Sequence, residues 1–147
     1  MILKIQKNKN NLILRKKTES VREITGDVLD LIKNMSETMA KNKGIGLSAN
    51  QVGKSIQLFM ISSGLSKKQV FINPEIIRLS KKTEIMEEGC LSLPDVFVPV
   101  KRAKSLKIKA IDEKGRRFKL KAKDLLARAI QHEFDHLNGI LICDNAK

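Results

Sequence analysis

The segment QHEFDH, residues 131–136, holds the side chains of this sequence best suited to chemistry. His132 and His136 are four residues apart, so on a helix their rings would lie on one face, one turn from each other. Two imidazoles at that spacing can hold a metal ion. Glu133 would lie about 100° around the helix from His132, where it can act as general base toward a water that the metal activates.

The same residues could instead form an ordinary polar helix face, since short motifs arise by chance. The turns before them are apolar, however, with Leu125, Leu126, Ala129 and Ile130. These residues indicate a buried helix, in which unpaired histidine and glutamate side chains would be costly. The setting therefore favours metal binding.

A catalytic metal site needs a third protein ligand and an open position. The candidates are Cys90, Cys143 or a carboxylate. Cys90 lies in EGCLSLP, where a glycine and Pro94 allow a sharp bend, whereas Cys143 follows the apolar ILI and is typical of a small residue in a core strand. The local sequence favours Cys90, and two imidazoles with one thiolate leave the ion a fourth position.

Hydrophobic periodicity predicts the elements that position these residues. Apolar residues at helical spacing predict one long amphipathic helix over 19–43. The loop GIGLSANQVG (44–53) follows it. The segments IQLFMI (56–61) and QVFINPEII (69–77) are rich in strand-forming residues, and Gly64 marks a turn between them.

A hairpin and a second helix follow along the chain. SLKIKAI (105–111) and RFKLKAK (117–123) flank the turn DEKG, which predicts a β-hairpin with an apolar face and a lysine-rich face. Asp124 can cap a helix that runs to about Leu137, where Asn138-Gly139 ends it. The order predicts an α+β fold over 1–147: one domain, with a mostly antiparallel sheet packed around the C-terminal metal-binding helix and a long N-terminal helix.

Composition limits the classes of protein. Of the 147 residues, 41% are hydrophobic and only 3% aromatic, which indicates a globular domain with an aliphatic core. No apolar run approaches the ~20 residues that span a bilayer, and the first residues lack a secretory signal, so we expect a cytoplasmic protein without a membrane partner. The net charge of +13 favours an anionic partner, although a solvated basic surface would have the same composition.

Three separated motifs together resemble the peptide deformylase family. They are GIGLSANQ (44–51), EGCLS (88–92) and QHEFDH (131–136), with further similarity in INPE and the hairpin. HExxH alone is shared with many metallopeptidases, but the three in this order are highly specific. The resemblance covers nearly the whole chain. It is to the compact form without an extended C-terminal helix, since the sequence ends eleven residues after His136.

The resemblance implies removal of the formyl group from the N-formylmethionine of nascent polypeptides, with release of formate. Carried over by position, Cys90, His132 and His136 bind one divalent metal ion, and Glu133 is the acid and base. The family's usual physiological metal is Fe(II), with Zn(II), Ni(II) and Co(II) as substitutes. The same ligands accept several of these borderline ions.

The resemblance also assigns roles around the metal. The Gln51 amide and the backbone N–H of Leu91 would stabilise the developing oxyanion. Backbone groups at Gly46 and Gly89 would hold the peptide in an extended conformation. The apolar pocket for the methionine side chain would be formed by Ile45, Met86, Leu125 and Ala129.

Other positions support the site or depart from the family pattern. Glu88 would support the ligand helix, and Arg102 matches a basic position of the family. Ser48 replaces a usual alanine, Phe97 lies where an arginine often contacts substrate, and Arg128 lies where relatives commonly carry an apolar residue. We therefore expect retained activity with a changed substrate affinity or side-chain preference.

Two other functions are compatible with parts of the sequence. The helix motif alone permits a metallopeptidase, although a cysteine ligand and an oxyanion glutamine argue against it. A basic RNA- or ribosome-binding module with a structural metal site is supported by residues 101–123, which hold eleven basic and two acidic side chains. The scarcity of aromatic residues argues against sequence-specific recognition of nucleic acid. A salt-sensitive, electrostatic association with the ribosome remains as a hypothesis.

Overall fold

Two antiparallel sheets and three α-helices make up the computed structural model, which describes residues 1–145. The strands are β1 (Gly46–Ser48), β2 (Leu58–Ile61), β3 (Val70–Leu79), β4 (Thr83–Cys90), β5 (Leu93–Ala103), β6 (Ser105–Ile111) and β7 (Arg117–Lys123). The larger sheet has the strand order β1-β2-β3-β6-β7, and the smaller one pairs β4 with β5. The helices are α1 (Leu12–Arg15), α2 (Gly26–Lys41) and α3 (Asp124–Leu137). The predicted α+β class with antiparallel pairing is confirmed.

The two faces of the larger sheet bury different helices. On one face α3 packs against β2, β3 and the hairpin, with Phe59, Phe71, Ile108 and Ile130 fully buried. On the other face α2 packs through Leu31, Met35 and Met39. Each such side chain contributes roughly 1.5–3 kcal/mol when it leaves water. The helix with the histidines is therefore fixed by a packed sheet.

The predicted hairpin and last helix are confirmed. In the hairpin Ile108 lies opposite Leu120, and the flanking pairs keep the same register. The helix ends at Leu137, and Gly139 follows with a left-handed φ of +75°. The predicted cap is wrong, however, because Asp124 is the first residue of α3 and Lys123 precedes it without a capping side-chain bond.

The N-terminal helix is shorter than predicted. It begins at Gly26, where the side chain of Thr25 accepts a hydrogen bond from the backbone N–H of Val28. Val21 lies in the chain before it, and its backbone N–H donates to Asn73 Oδ1 at 2.8 Å. Val21 and Ile24 still pack on the core of α2. These two apolar residues have helical spacing in the sequence, so the predicted helix included them. In the structure they pack on the same core from the segment that precedes α2.

The smaller sheet was not predicted, and Cys143 was assigned to the wrong element. Strand β4 carries Cys90 at its end, so the predicted ligand lies on a strand and not in an isolated loop. Cys143 is half-buried in a short 3-10 helix, Ile142–Asp144, and does not fill a core strand. Within residues 1–145, no helix combines the length and the apolarity needed to cross a bilayer.

Candidate metal centre

Three predicted ligands meet between the end of β4 and α3. His132 Nε2 lies 3.2 Å from His136 Nε2, and Cys90 Sγ lies 3.3 Å from His136 Nε2. In the part of the chain that the structure describes, these are the residues grouped for metal binding, with all three ligand atoms within 4.8 Å of one another. Cys143 contacts Arg15 and Asp144 instead. A thiolate with two imidazoles suits divalent zinc, iron, nickel or cobalt.

Glu88 orients the first histidine. Its Oε1 lies 3.0 Å from His132 Nδ1, which leaves Nε2 directed toward Cys90 and His136. Two hydrogen bonds of 3.0 Å join Arg102 to Glu88, and Arg128 forms a further ion pair with Oε2. Burial raises the pKa of Glu88, but the hydrogen bonds with His132 and Arg102 outweigh it and lower the pKa to about 2. Glu88 is thus a buried carboxylate that stays ionised.

The two imidazoles have opposite electrostatic environments. Burial lowers the pKa of His132, but its contacts with Cys90 and Glu88 and the nearby charge of Glu133 raise it to about 10. The pKa of His136 is well below its usual value, chiefly because of burial and next because of the charge of His132. The ionised carboxylate of Glu88 beside His132 therefore favours positive charge at this position. The donor set and its electrostatics fit a divalent cation.

Glu133 lies beside these predicted ligands in a buried position. Its side chain is buried, and Oε1 has no hydrogen-bond partner among residues 1–145. Burial, only partly opposed by the charges of His132 and Arg102, raises the pKa of Glu133 to about 7. A Cβ on Gly46 would lie 2.7 Å from Glu133 Oε2, so only glycine allows β1 to approach this carboxylate.

A cleft of about 410 Å³ connects these groups. It is lined by the ligands Cys90 and His132, by Glu133, Gln51, Leu91 and Glu88, and by the predicted substrate positions Ile45, Gly46, Met86, Gly89, Leu125 and Ala129. Arg102 does not line it and lies behind Glu88, where it also forms an ion pair with Asp135. Ile45, Met86 and Leu125 are each between 43% and 47% exposed, so apolar surface remains open around the cleft.

The Gln51 amide has one orientation because both ends are hydrogen-bonded. Its Oε1 accepts from the backbone N–H of Ser48 at 3.0 Å, and the Ser48 hydroxyl lies 3.1 Å away. Its Nε2 donates to Ser92 Oγ at 3.1 Å and lies 3.7 Å from Cys90 Sγ. The N–H end of the amide therefore points toward the metal ligands.

Ser92 and Asn50 are site residues that the sequence analysis missed. The Ser48 hydroxyl donates to Asn50 Oδ1 at 2.7 Å, and Asn50 Nδ2 donates to the carbonyl of His136 at 2.7 Å. The extra hydroxyl of Ser48 is therefore satisfied and tied to the ligand helix. The available signal was that Asn50 is adjacent to Gln51 and that Ser92 is adjacent to Leu91. The sequence alone does not show which distant groups these two polar side chains contact.

The two remaining departures, Arg128 and Phe97, both line the cleft. The buried Arg128 guanidinium donates to the carbonyls of Val100 and Glu84 as well as to Glu88, so its charge is neutralised within the protein. Phe97 is 65% exposed, and its ring packs so closely on Gly89 that a Cβ there would lie 2.7 Å from it.

The family is decided by comparison with known proteins. The sequence profile of polypeptide deformylase matches residues 2–147. This chain belongs to the polypeptide deformylase family. A peptide deformylase of Pseudothermotoga lettingae is 45% identical over 132 residues, which cover 90% of this chain and 76% of that protein. The deformylase of Dictyoglomus turgidum is 46% identical over 147 residues, covering 99% of this chain and 94% of that one.

Solved structures agree with the deformylase assignment. The crystal structure of the peptide deformylase from Thermotoga maritima has a TM-score of 0.95 and 37% sequence identity, and the match covers 100% of this chain and 99% of that one. Deformylases are metal-dependent hydrolases that remove the N-formyl group from nascent peptides, and this chain is an enzyme of that class. The implied function is confirmed, and the metallopeptidase and the purely RNA-binding alternatives are set aside.

Proposed function

We propose that Cys90, His132 and His136 hold one divalent ion and that Glu133 moves the proton during deformylation of N-formylmethionyl peptides. The observation that carries this assignment is the meeting of three ligand atoms within 4.8 Å of one another, beside a cleft that Cys90, His132 and the buried Glu133 line. When bound, the ion supplies Lewis-acid activation of water and of the formyl oxygen. We propose Fe(II) in the cell, with Zn(II), Ni(II) and Co(II) as functional substitutes, because a thiolate and two imidazoles accept all four.

Glu133 performs the proton transfer in two directions. It accepts a proton from the attacking water as the new C–O bond forms at the formyl carbon, and it then donates that proton to the amide nitrogen as the C–N bond breaks. The products are formate and a free amino terminus. The carboxylate is suited to both steps, because its Oε1 has no protein partner in the described chain and burial raises its pKa to about 7, so that it can accept and donate a proton near neutral pH.

Gln51 and Leu91 stabilise the oxygen that gains negative charge. The Gln51 Nε2 is held between Ser92 Oγ and Cys90 Sγ, so it needs little reorganisation to donate. Leu91 follows Cys90 and lines the same cleft as Gln51, which supports its backbone N–H as the second donor. Each such donor is typically worth ~3 kcal/mol in the transition state.

The peptide lies extended along the cleft. Gly46 and Gly89 both line the cleft, and their backbone groups bind the peptide as a neighbouring strand would. The methionine side chain enters the apolar part formed by Ile45, Met86, Leu125 and Ala129. The exposed Phe97 ring borders the same cleft and adds apolar contact for the peptide beyond the first residue.

We also propose an electrostatic association with the ribosome, where the N-terminus of the substrate emerges. The support is the net charge of +13 and the basic residues of the hairpin. Such an attraction is sequence-independent and weakens with salt. Sedimentation with ribosomes at low salt tests it, and no co-sedimentation under those conditions would contradict it.

The decisive experiment compares wild type, Glu133→Gln and Glu84→Gln after anaerobic purification and metal analysis. Glu84 is an exposed glutamate on β4 and is the matched control. We expect Glu133→Gln to retain the ion but to lose roughly 10²–10⁴-fold in kcat with formyl-Met-Ala, measured as formate released. Glu84→Gln should match wild type. Full activity of Glu133→Gln, or cleavage of internal peptide bonds without formate release, would show that this assignment is wrong.

A further inference from the structure

A basic surface lies on the larger sheet, away from the cleft. Helix α2 covers one face of this sheet as far as Ile111. Beyond that point no helix covers the same face of the hairpin within residues 1–145. Side chains alternate along each strand, so every second residue of the hairpin belongs to this face. Six basic side chains of this face are here called the basic plate: Arg78 of β3, Lys107 and Lys109 of β6, and Arg117, Lys119 and Lys121 of β7; Glu75 of β3 lies on the same face, opposite Lys109.

Like charges lie directly opposite one another across the basic plate. Lys107 lies between Arg78 and Lys121, and Lys109 lies opposite Lys119. Like charges in such positions destabilise a sheet. Within residues 1–145, Lys109 alone among the plate residues forms an ion pair, 3.4 Å from Glu75. The clustering of like charges therefore lowers the stability of the sheet, whereas the same residues dispersed over the surface would not.

Protection of the sheet edge does not explain the basic plate. Lysines on an edge strand prevent pairing with other chains, and β7 is an edge strand. Strand β6, however, is paired on both sides, by β3 and by β7. It has no free edge to protect, yet it contributes Lys107 and Lys109.

Two open grooves along the hairpin have the same charge. One, of about 740 Å³, is lined by Lys109, Arg117 and Lys119 together with Asn73 and Phe118. The other, of about 770 Å³, is lined by five basic residues: Arg78, Lys81, Lys107, Lys121 and Lys123. Neither lining contains an acidic residue, whereas the cleft of the metal centre is lined by Glu87, Glu88 and Glu133.

We propose that the basic plate binds the phosphate backbone of RNA without reading its sequence. Outward side chains recur about every 6.7 Å along a strand and about every 4.8 Å between strands, which gives a regular lattice of cations for a chain of phosphates. The grooves are concave, which suits a rod-like polyanion better than a flat bilayer. Phe118 lines one of the two grooves, but its ring packs against the core on the other face, so the six plate residues themselves offer no aromatic side chain on which bases could stack.

This inference makes the proposed ribosome association more specific. It rests on the proposed function in one respect, which is the choice of RNA as the polyanion that binds the plate. A nascent peptide is made on an assembly rich in RNA, so an enzyme bound through its hairpin would keep its cleft free for the peptide. The plate and the cleft have no lining residue in common. Binding of RNA and deformylation can therefore be measured and altered separately.

The test uses two triple variants with the same change in net charge. One is Lys107→Glu, Lys119→Glu and Lys121→Glu on the plate. The control is Lys7→Glu, Lys17→Glu and Lys54→Glu, three exposed lysines outside the sheet. Binding of a labelled 20-nucleotide RNA of mixed sequence is measured by fluorescence anisotropy at several salt concentrations. A third protein, with glutamine at the three plate positions, serves if charge reversal prevents folding.

We expect the plate variant to lose at least roughly tenfold in RNA affinity, and the slope of log K against log salt to fall by about 2, since three phosphate contacts are lost. The control triple should retain most of the affinity. Equal losses in both triples, or no RNA binding by wild type, would overturn the proposal. Plate-dependent binding to phosphatidylserine vesicles but not to RNA would also overturn it.

Formate release by the same proteins separates the two proposals. Neither triple touches the cleft, so kcat with formyl-Met-Ala should be unchanged in both. If wild type deformylates this peptide but does not bind RNA, the inference fails and the proposed function stands. If it binds RNA through the plate but releases no formate, the proposed function fails and the inference stands.

Discussion

A glutamine used to stabilise an oxyanion must present its N–H end, and in this protein hydrogen bonds select that end. The backbone N–H of Ser48 is a donor at a fixed position, so it can only face the Gln51 oxygen. At the other end of the amide, Gln51 Nε2 donates a hydrogen bond to Ser92 Oγ. Ser48 thus contributes mainly through its backbone, and its hydroxyl has the separate role of joining Asn50 and, through it, the carbonyl of His136.

The residue-scale prediction separates these two roles. Gln51→Ala removes the proposed donor and should lower kcat with formyl-Met-Ala by about 10²-fold. Ser48→Ala keeps the backbone N–H that orients Gln51, so kcat should fall less than about threefold. It leaves Asn50 Oδ1 without its donor, which should lower the free energy of unfolding by about 1–2 kcal/mol. Steady-state kinetics and urea denaturation measure both. A loss of kcat in Ser48→Ala as large as in Gln51→Ala would show that the hydroxyl itself orients the amide.

At the scale of the element, helix α3 was predictable because all of its sequence signals agree. An apolar face, two histidines four residues apart and an Asn-Gly stop all indicate one helix, which the structure gives as Asp124–Leu137. Strands β4 and β5 were not predictable. Strand β4 is exposed over most of its length and therefore lacks a hydrophobic alternation, and β5 contains Pro94 and Pro99, which are unfavourable in strands.

The geometry of the candidate site could be predicted only in part, because some of its contacts are local in the sequence and others join distant segments. The spacing of His132 and His136 is set by one helix, so it can be derived locally. The contact of Glu88 with His132 depends on a strand meeting a helix 44 residues later. Only the resemblance to a family suggested it, and the buried arginines that neutralise Glu88 needed the structure.

Glu88 links β4 to α3, and this link should govern how tightly the ion is held. Glu88→Gln removes the charge that faces His132 and leaves Arg102 and Arg128 without their shared buried carboxylate. We expect the metal affinity to fall by about 10–100-fold, as for other groups that orient a ligand histidine. Competition with a chelator, followed by metal analysis, measures this. Glu84→Gln on the same strand is the control, and equal metal retention in both variants would contradict the assigned role.

For the whole molecule, the site depends on segments from the two ends of the chain. The Thr18 backbone N–H and hydroxyl both donate to the carbonyl of Leu137, at 3.0 and 2.8 Å. Arg15 donates to the carbonyl of Gly139 and pairs with Asp144. The N-terminal segment therefore closes over the end of α3 that carries His136. The last turn of the catalytic helix is stabilised by residues more than a hundred positions earlier in the sequence.

Two glycines allow this closure to be tested. Gly139 and Gly115 have nearly equal left-handed φ angles, +75° and +78°. A Cβ at Gly139 would lie 2.2 Å from the carbonyl oxygen of Arg15, whereas at Gly115 nothing lies within 4 Å. Alanine at either position costs roughly 1–2 kcal/mol for the backbone conformation alone. Any further loss in Gly139→Ala reports the contact with the N-terminal segment.

We expect Gly139→Ala to lower the free energy of unfolding by about 1–3 kcal/mol more than Gly115→Ala, because the added methyl group must displace the backbone at Arg15. For a chain of this length the difference corresponds to roughly 5 °C in Tm. Both variants are measured with the ion removed by chelation, so that metal binding does not mask the effect. Equal losses would mean that the N-terminal segment moves away freely. An excess loss in Gly139→Ala means that the end of α3 carrying His136 is held in place by the start of the chain.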